Sequence, residues 1–271
     1  MVRRANNQND TKINNHGLNP ILCWTGGKNR LKNKIISKIP QHDIYIEPFL
    51  GGGSIFFKKN LANKNVVGDA DSKLIKFYKS FKNMNCDSLN HCKLPKNQSE
   101  FNKAIQSKDK DACSFLAVNK RSYSCKMDKP NFSEAIANDP IRGKVGIENV
   151  KKNCSVYQDK LKKATILNGD YRDTVKKHDD KKAFIYLDPP FLNTYDYSQK
   201  HVNPTDVCSL AKKVKGKVMI SYNDHPEVRK ACQGLNIQKV NTSYTIQKSQ
   251  TDGKDKKVQE LLITNYPINE N

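Results

Sequence analysis

The sequence predicts a doubly wound α/β sheet interrupted by an inserted lobe. Short apolar runs that read as buried strands alternate with stretches of helical periodicity. The first strand runs straight into three glycines and then an apolar segment, the strand–turn–helix opening of such a sheet. The alternation stops near residue 84, where the chain becomes strongly polar and punctuated, and resumes near residue 164.

In order along the chain, residues 1–18 are polar, with Arg3, Arg4 and many asparagines, and read as a flexible arm. Cys23-Trp24-Thr25-Gly26-Gly27-Lys28 forms a glycine-hinged turn, followed by an amphipathic helix around Leu31, Ile35, Ile36 and Ile39. Residues 43–49 read as a short strand. It enters Leu50-Gly51-Gly52-Gly53-Ser54, after which Ile55-Phe56-Phe57 looks like the start of a helix. Residues 65–69 form a second strand ending in Asp69, and a helix bearing Leu74, Ile75, Phe77, Tyr78 and Phe81 follows. After the polar stretch come strands at 164–170, 183–187 and 217–222, then a terminal hairpin pairing 242–248 with 258–265 through residues 249–255. The domains expected are a 1–18 arm, a catalytic cofactor-binding unit of 19–83 and 164–271, and an inserted lobe of 84–163. No internal repeat is visible.

Lys and Arg total 48 against 27 Asp and Glu, a net charge of +21. So basic a chain favours a polyanionic partner; charge of this kind supplies affinity and steering without choosing a sequence. The hydrophobic share of 36% is offset by lysine and asparagine, which describes a globular protein with a very polar surface. The eight cysteines contain no Cys-x-x-Cys pair, so no metal site is expected. Reduced thiols inside a cell are the default. No run is apolar and long enough to span a membrane.

The chemistry concentrates where strands end. A mostly parallel sheet binds ligands at the carboxyl ends of its strands, and residues 49–54, Asp69, Asp170 and Asp188 all fall there. Gly51, Gly52 and Gly53 permit close approach of a ligand to the backbone, and the helix start beyond them favours a carboxylate or phosphate. Asp69 stands about 20 residues past this loop, where an acid accepts from both hydroxyls of a ribose. The loop lacks the Gly-x-Gly-x-x-Gly pattern and the Walker lysine, so a nucleoside cofactor with an amino-acid tail fits better than a nicotinamide or a nucleoside triphosphate. Asp188-Pro189-Pro190-Phe191 ends its strand in a rigid corner, because proline cannot extend the ladder. That corner presents a carboxylate, prolyl carbonyls and a flat ring, which suits an amino group on a planar base.

Trp24-Thr25-Gly26-Gly27-Lys28, Glu47-Pro48-Phe49-Leu50-Gly51-Gly52-Gly53-Ser54, Gly68-Asp69 and Asp188-Pro189-Pro190-Phe191 resemble, in order and rough spacing, the Dam-type (D12 class, α-arrangement) DNA adenine-N6 methyltransferases. The resemblance runs from about residue 20 to the end. It implies a Rossmann-like class I S-adenosylmethionine-dependent methyltransferase sheet with an inserted target-recognition lobe and a C-terminal antiparallel hairpin. It implies S-adenosylmethionine as cofactor, S-adenosylhomocysteine as product and no metal. Trp24, Lys28, Phe49, Gly51, Gly53, Asp69, Asp170 and Asp188 would bind the cofactor. Asp188, Pro189, Pro190 and Phe191 would form the catalytic corner acting on an adenine flipped out of duplex DNA. The family's usual tyrosine at the fourth corner position is Phe191 here, which keeps the stacking face and loses a hydroxyl. Residues 84–163 match the family poorly. Between 120 and 163 there are eleven Lys or Arg against five Asp or Glu, and Arg121, Tyr123, Lys126, Lys129 and Arg142 are the candidates for DNA contact. The expected partners are double-stranded DNA and a cognate restriction endonuclease, with no membrane. The expected place is inside a cell with DNA, in the cytoplasm, the nucleoid or a virus-infected host. The alternatives are a catalytically silent DNA-binding relative or partner subunit, and a methyltransferase acting on cytosine N4 or RNA adenine.

Overall fold

A computed structural model describes residues 18–139, 142–192, 202–248 and 255–268. Most of the expected N-terminal arm and the turn of the terminal hairpin lie outside the described residues. Strands β1 (Ile44–Glu47), β2 (Lys64–Asp69), β3 (Ala164–Asn168), β4 (Ala183–Leu187) and β5 (Lys217–Asn223) pair in parallel. Strands β6 (Asn236–Lys248) and β7 (Asp255–Thr264) form an antiparallel hairpin whose β7 joins β5. The order across the sheet is β3-β2-β1-β4-β5-β7-β6. Chain direction across the sheet reverses between β1 and β4, and that switch point opens a crevice at the carboxyl ends of both strands.

Parallel strands are covered on both faces and so read as continuous apolar runs. All five residues of β4 are buried. Its side chains alternate between two cores: Phe184 and Tyr186 join one cluster, while Ala183, Ile185 and Leu187 join the other. The described helices are α1 (Lys32–Ile36), α2 (Ser72–Asn83), α3 (Gln98–Ser107), α4 (Ala112–Arg121), α5 (Glu134–Asn138), α6 (Arg142–Lys152), α7 (Cys154–Lys162), α8 (Tyr171–His178), α9 (Pro204–Lys213) and α10 (Pro226–Ala231). Helix α2 starts at Asp71, whose carboxylate accepts from the Lys73 and Leu74 amides. It buries Leu74, Ile75, Phe77, Tyr78 and Phe81, the stripe its periodicity predicts. Helices α8, α9 and α10 cover the other face through Val175, Val207, Ala211 and Val228.

The described residues of the insert between α2 and β3 form helices joined by turns and loops, with one bridge, which accounts for its lack of strand–helix alternation. Part of its buried surface joins the main core: Phe115, Leu116, Val150, Tyr157 and Leu161 belong to the same cluster as α2 and the sheet. Gln158 of α7 donates to the Phe81 and Met84 carbonyls at 2.9 and 2.7 Å, closing the end of α2.

Three expectations change. The first helix is only five residues long and ends at Ile36, after which the Lys38 and Ile39 amides bond to the Ile35 and Ile36 carbonyls in tighter turns. Residues 54–58 make hydrogen-bonded turns rather than a helix, because β2 begins at Lys64 and the chain must reverse within a few residues. The cysteines are not free thiols. All eight are joined, as Cys23–Cys125, Cys86–Cys154, Cys92–Cys113 and Cys208–Cys232. Folding brings together partners that lie 102, 68, 21 and 24 residues apart in sequence, which no local spacing reveals.

Candidate active site

The carboxyl ends of β1, β2, β3 and β4 open on a pocket of about 990 Å³. Its floor comprises the 24–28 turn, the glycine loop, Asp69, Asp170 and the 188–191 corner, and its outer wall includes Tyr123, Lys126 and Lys129 of the insert. Pockets for one drug-sized ligand run to about 300–1,000 Å³, so this one has room for a nucleoside beside a second planar group.

One half of the pocket is a backbone cradle. Gly51 has φ +47°, and a Cβ there would lie 2.8 Å from the Trp24 ring, so only glycine lets the loop lie against Trp24. The Gly51 amide donates to Asp69 Oδ2 at 2.9 Å, the Asp71 amide donates to Oδ1 at 3.0 Å, and the Tyr78 hydroxyl donates to the Gly51 carbonyl at 2.8 Å. Burial pushes the Asp69 carboxyl up to about 6, against the pull of these amides. Phe49 packs on Tyr171 with ring centroids 4.9 Å apart. Asp170 caps α8 through the Arg172 amide at 2.8 Å and pairs with the Arg172 guanidinium at 2.7 Å, while also lining the pocket. Gly53 is not on the pocket wall. Its φ of +72° and a Phe57 ring 2.5 Å from where a Cβ would stand make it a packing glycine.

The other half is the corner beyond β4. Asp188 lines the pocket with its side chain 18% exposed, and the Lys28 ammonium lies 2.7 Å from its Oδ1. Lys28 is buried, donates also to the Gly26 carbonyl at 2.7 Å, and sits 4.3 Å from the centre of the Phe191 ring. Sequence reasoning put Lys28 on the cofactor; it lines the pocket and also contacts Asp188 and Phe191. Phe191 in turn stacks with Tyr222 at 6.0 Å between centroids. Pro189 is buried and Pro190 borders the pocket.

Three residues here escaped the sequence reading as site members. Glu47 at the end of β1 is buried, accepts from the Tyr45 hydroxyl at 2.8 Å and lines the pocket. Burial, with nearby Asp188 adding to it, pushes its carboxyl up to about 8. An acid inside an otherwise apolar strand was the signal that could have found it. Ser221 of β5 donates to Asp188 Oδ1 at 2.7 Å, and the Tyr186 hydroxyl lies 2.9 Å from Ser221 Oγ. Nothing local in sequence marks Ser221, because its role depends on β5 lying beside β4.

Of the five residues expected to meet DNA, Tyr123, Lys126 and Lys129 reach the pocket wall, and Tyr123 is 60% exposed. Their segment is closed at its base by the Ser122–Phe132 bridge. It is tied to the 23–28 turn by the Cys23–Cys125 disulfide and by the Thr25 hydroxyl, which donates to the Ser124 carbonyl at 3.3 Å. Arg121 is turned inward, 7% exposed, and braces the Pro95 and Ile136 carbonyls at 3.0 and 3.2 Å. It is a structural strut, drawn inside by carbonyls that need donors. Arg142 is the first residue of α6. Among the described residues no group of three or more His, Cys, Asp or Glu is placed to hold a metal.

Residues 24–246 match the family model of D12 class N6 adenine-specific DNA methyltransferases. Similar proteins include the type II methyltransferase M1.LlaDCHI of Lactococcus lactis subsp. cremoris, 28% identical over 94% of this chain and 97% of that protein. The type II methyltransferase M.MjaIII of Methanocaldococcus jannaschii is 28% identical over 91% of this chain and 99% of its own length. The DNA adenine methylase of Escherichia coli K12 is 25% identical over 91% and 95%.

Proposed function

The chain belongs to the D12 class of N6 adenine-specific DNA methyltransferases, and we propose how its own residues divide the transfer of a methyl group from S-adenosylmethionine to an adenine in DNA. Bound S-adenosylmethionine supplies a methyl group on a cationic sulfur. Trp24, Phe49, Asp69, Asp170 and the loop bearing Gly51 hold that cofactor, with Asp69 accepting from the ribose hydroxyls and the loop amides facing its carboxylate tail; Gly53 shapes the loop from behind. Asp188 and the Pro189 carbonyl accept the two protons of the target amine, Pro190 stiffens the corner, and the base stacks on Phe191.

An exocyclic adenine amine is a poor nucleophile because its lone pair is delocalised into the ring. Two fixed acceptors favour a pyramidal nitrogen with its lone pair aimed along the line of displacement. Alignment and preorganised charge then supply most of the acceleration, with no covalent enzyme intermediate. In this scheme the Lys28 ammonium holds the place of the amine until the base arrives: it already contacts Asp188, a backbone carbonyl and the Phe191 face.

The observation that carries the reading is the meeting of Asp188, Lys28 and Phe191 beside the Asp69–Gly51 cradle in one pocket. So complete a site also speaks against a silent DNA-binding relative. Residues 84–163 serve as the target-recognition lobe, with Tyr123, Lys126 and Lys129 at the DNA. The protein works inside a cell, where its DNA is. The type II names of two relatives support a cognate restriction endonuclease, which would be blocked at the site this enzyme modifies. The test is incubation of unmethylated genomic DNA with the protein and S-adenosylmethionine, followed by nucleoside mass spectrometry and modification mapping. N6-methyladenine at one short motif is expected. Asp188→Ala should abolish it while leaving cofactor binding intact; near-normal rates from Asp188→Ala would remove the corner from the catalytic role.

A further inference from the structure

We propose that Ser221 is a positioning residue for methyl transfer, fixing from within the sheet the carboxylate that receives the target amine. The proposal rests on the assignment of Asp188 to that amine. Parallel pairing sets Leu187 of β4 opposite Ile220 of β5, so Asp188 and Ser221 are the next pair in register. Side chains alternate along a strand, which puts Tyr186, Asp188 and Ser221 on one face. Ser221 Oγ lies 2.7 Å from Asp188 Oδ1 and 2.9 Å from the Tyr186 hydroxyl.

A serine hydroxyl has one proton. The carboxylate can only accept, so Ser221 donates to Asp188 and Tyr186 must donate to Ser221. Burial holds the Tyr186 phenol well above its ordinary range, which keeps it a donor. Tyr186 and Ser221 are 1% and 0% exposed, so solvent does not compete for these bonds. The result is a one-directional chain, phenol to hydroxyl to carboxylate, anchored on two central strands.

Oδ1 thus has two donors, Ser221 and Lys28. Among the described residues none donates to Oδ2, which leaves that oxygen for the amine. The two donors are not equivalent. Lys28 lies over the Phe191 ring, in the volume a stacked base takes. Ser221 reaches Asp188 from the sheet and stays in place when the base enters. It is therefore the donor that can hold the carboxylate's orientation at the moment of transfer.

The test compares Ser221→Ala, Ser221→Thr, Tyr186→Phe and Asp188→Ala in single-turnover methylation of an oligonucleotide carrying the mapped site. Each variant is also followed by S-adenosylmethionine titration and thermal melting. Ser221→Ala should slow transfer about 10- to 100-fold, the scale for misaligning a reacting pair, with cofactor affinity and melting close to wild type. Ser221→Thr keeps the hydroxyl and should recover most of the rate. Tyr186→Phe removes the second link and should cost about 3- to 10-fold. A wild-type rate for Ser221→Ala beside an inactive Asp188→Ala overturns the proposal and leaves the assignment of Asp188 standing. Rate, cofactor affinity and melting falling together in Ser221→Ala, without recovery in Ser221→Thr, also overturns it, because that is the signature of a packing role. An active Asp188→Ala instead removes the premise.

Discussion

Asp69 shows how one side chain can serve the fold and the ligand at once. Its two oxygens already accept from the Gly51 and Asp71 amides, so the acid we assign to the ribose also shapes the glycine loop. With its carboxyl raised from 3.8 to about 6, the folded state holds this proton more tightly than the unfolded chain does. The stability it contributes is therefore fully present below about pH 4 and is lost as pH rises through 6. Cofactor affinity has the opposite sign, since only the carboxylate accepts from both hydroxyls. Affinity should fall as pH drops from about 7 to about 5, and Asp69→Ala should weaken binding by about 1.5–3 kcal/mol. Trp24 is the single tryptophan and lines the pocket, so its fluorescence can report the titration; wild-type affinity in Asp69→Ala would place the ribose elsewhere. Phe191 carries the companion prediction for the base. Phe191→Tyr should be tolerated, because the stacking area is unchanged, whereas Phe191→Ala should lose a stack worth about 1–3 kcal/mol. Equal single-turnover rates for Phe191→Ala and wild type would show that no base stacks there.

At the level of elements, the site was legible where chemistry sits at strand ends and illegible where it depends on which strands are neighbours. Asp69, Asp188 and the glycine loop follow from apolar runs that stop at polar residues. Lys28 meeting Asp188 requires the 23–28 turn to fold back over β4, and Ser221 requires the β4–β5 register; neither is written in local periodicity. The cysteines make the same point. Eight allow 105 complete pairings, and the four that occur link segments that only the finished fold brings close. Cys23–Cys125 has a role at the site: it joins the turn carrying Trp24 and Lys28 to the segment carrying Tyr123, Lys126 and Lys129. Closing a loop of this length is worth about 4–5 kcal/mol in the chain-entropy model. Cys23→Ser should lower the melting temperature and weaken DNA binding, while Cys208→Ser, whose bridge joins α9 to α10, should lower melting alone. Alkylation and mass spectrometry of unreduced protein should find no reactive thiol. Eight alkylated cysteines would mean that the pairs are reduced contacts and that the bridges contribute nothing.

Over the whole molecule the dominant quantity is charge, and the structure separates lysines that can act on DNA from those that cannot. Lys59 and Lys160 are buried, with their ammonium groups donating to the Asn60 and Lys59 carbonyls, and Lys28 is committed to Asp188. These three are taken up by carbonyls of the interior or by the site and stay out of reach of phosphate. Among the described residues most of the other lysines and arginines stand on the surface, and Lys126 and Lys129 line the pocket that would receive a flipped base. Extruding a base costs stacking and pairing energy, and backbone contacts on either side of the pocket are what can hold the duplex while that happens. With about five phosphate contacts, log affinity for duplex DNA should fall against log salt with a slope of about −4 or steeper. Lys126→Ala and Lys129→Ala should each reduce the slope by about one and weaken binding evenly across DNA sequences. Tyr123→Ala should leave the slope alone, because an aromatic ring neutralises no phosphate. A slope near zero, measured by fluorescence anisotropy over a range of salt, would assign the excess lysine to solvated surface. An unchanged slope in the double variant Lys126→Ala, Lys129→Ala would move the DNA path off this wall of the pocket.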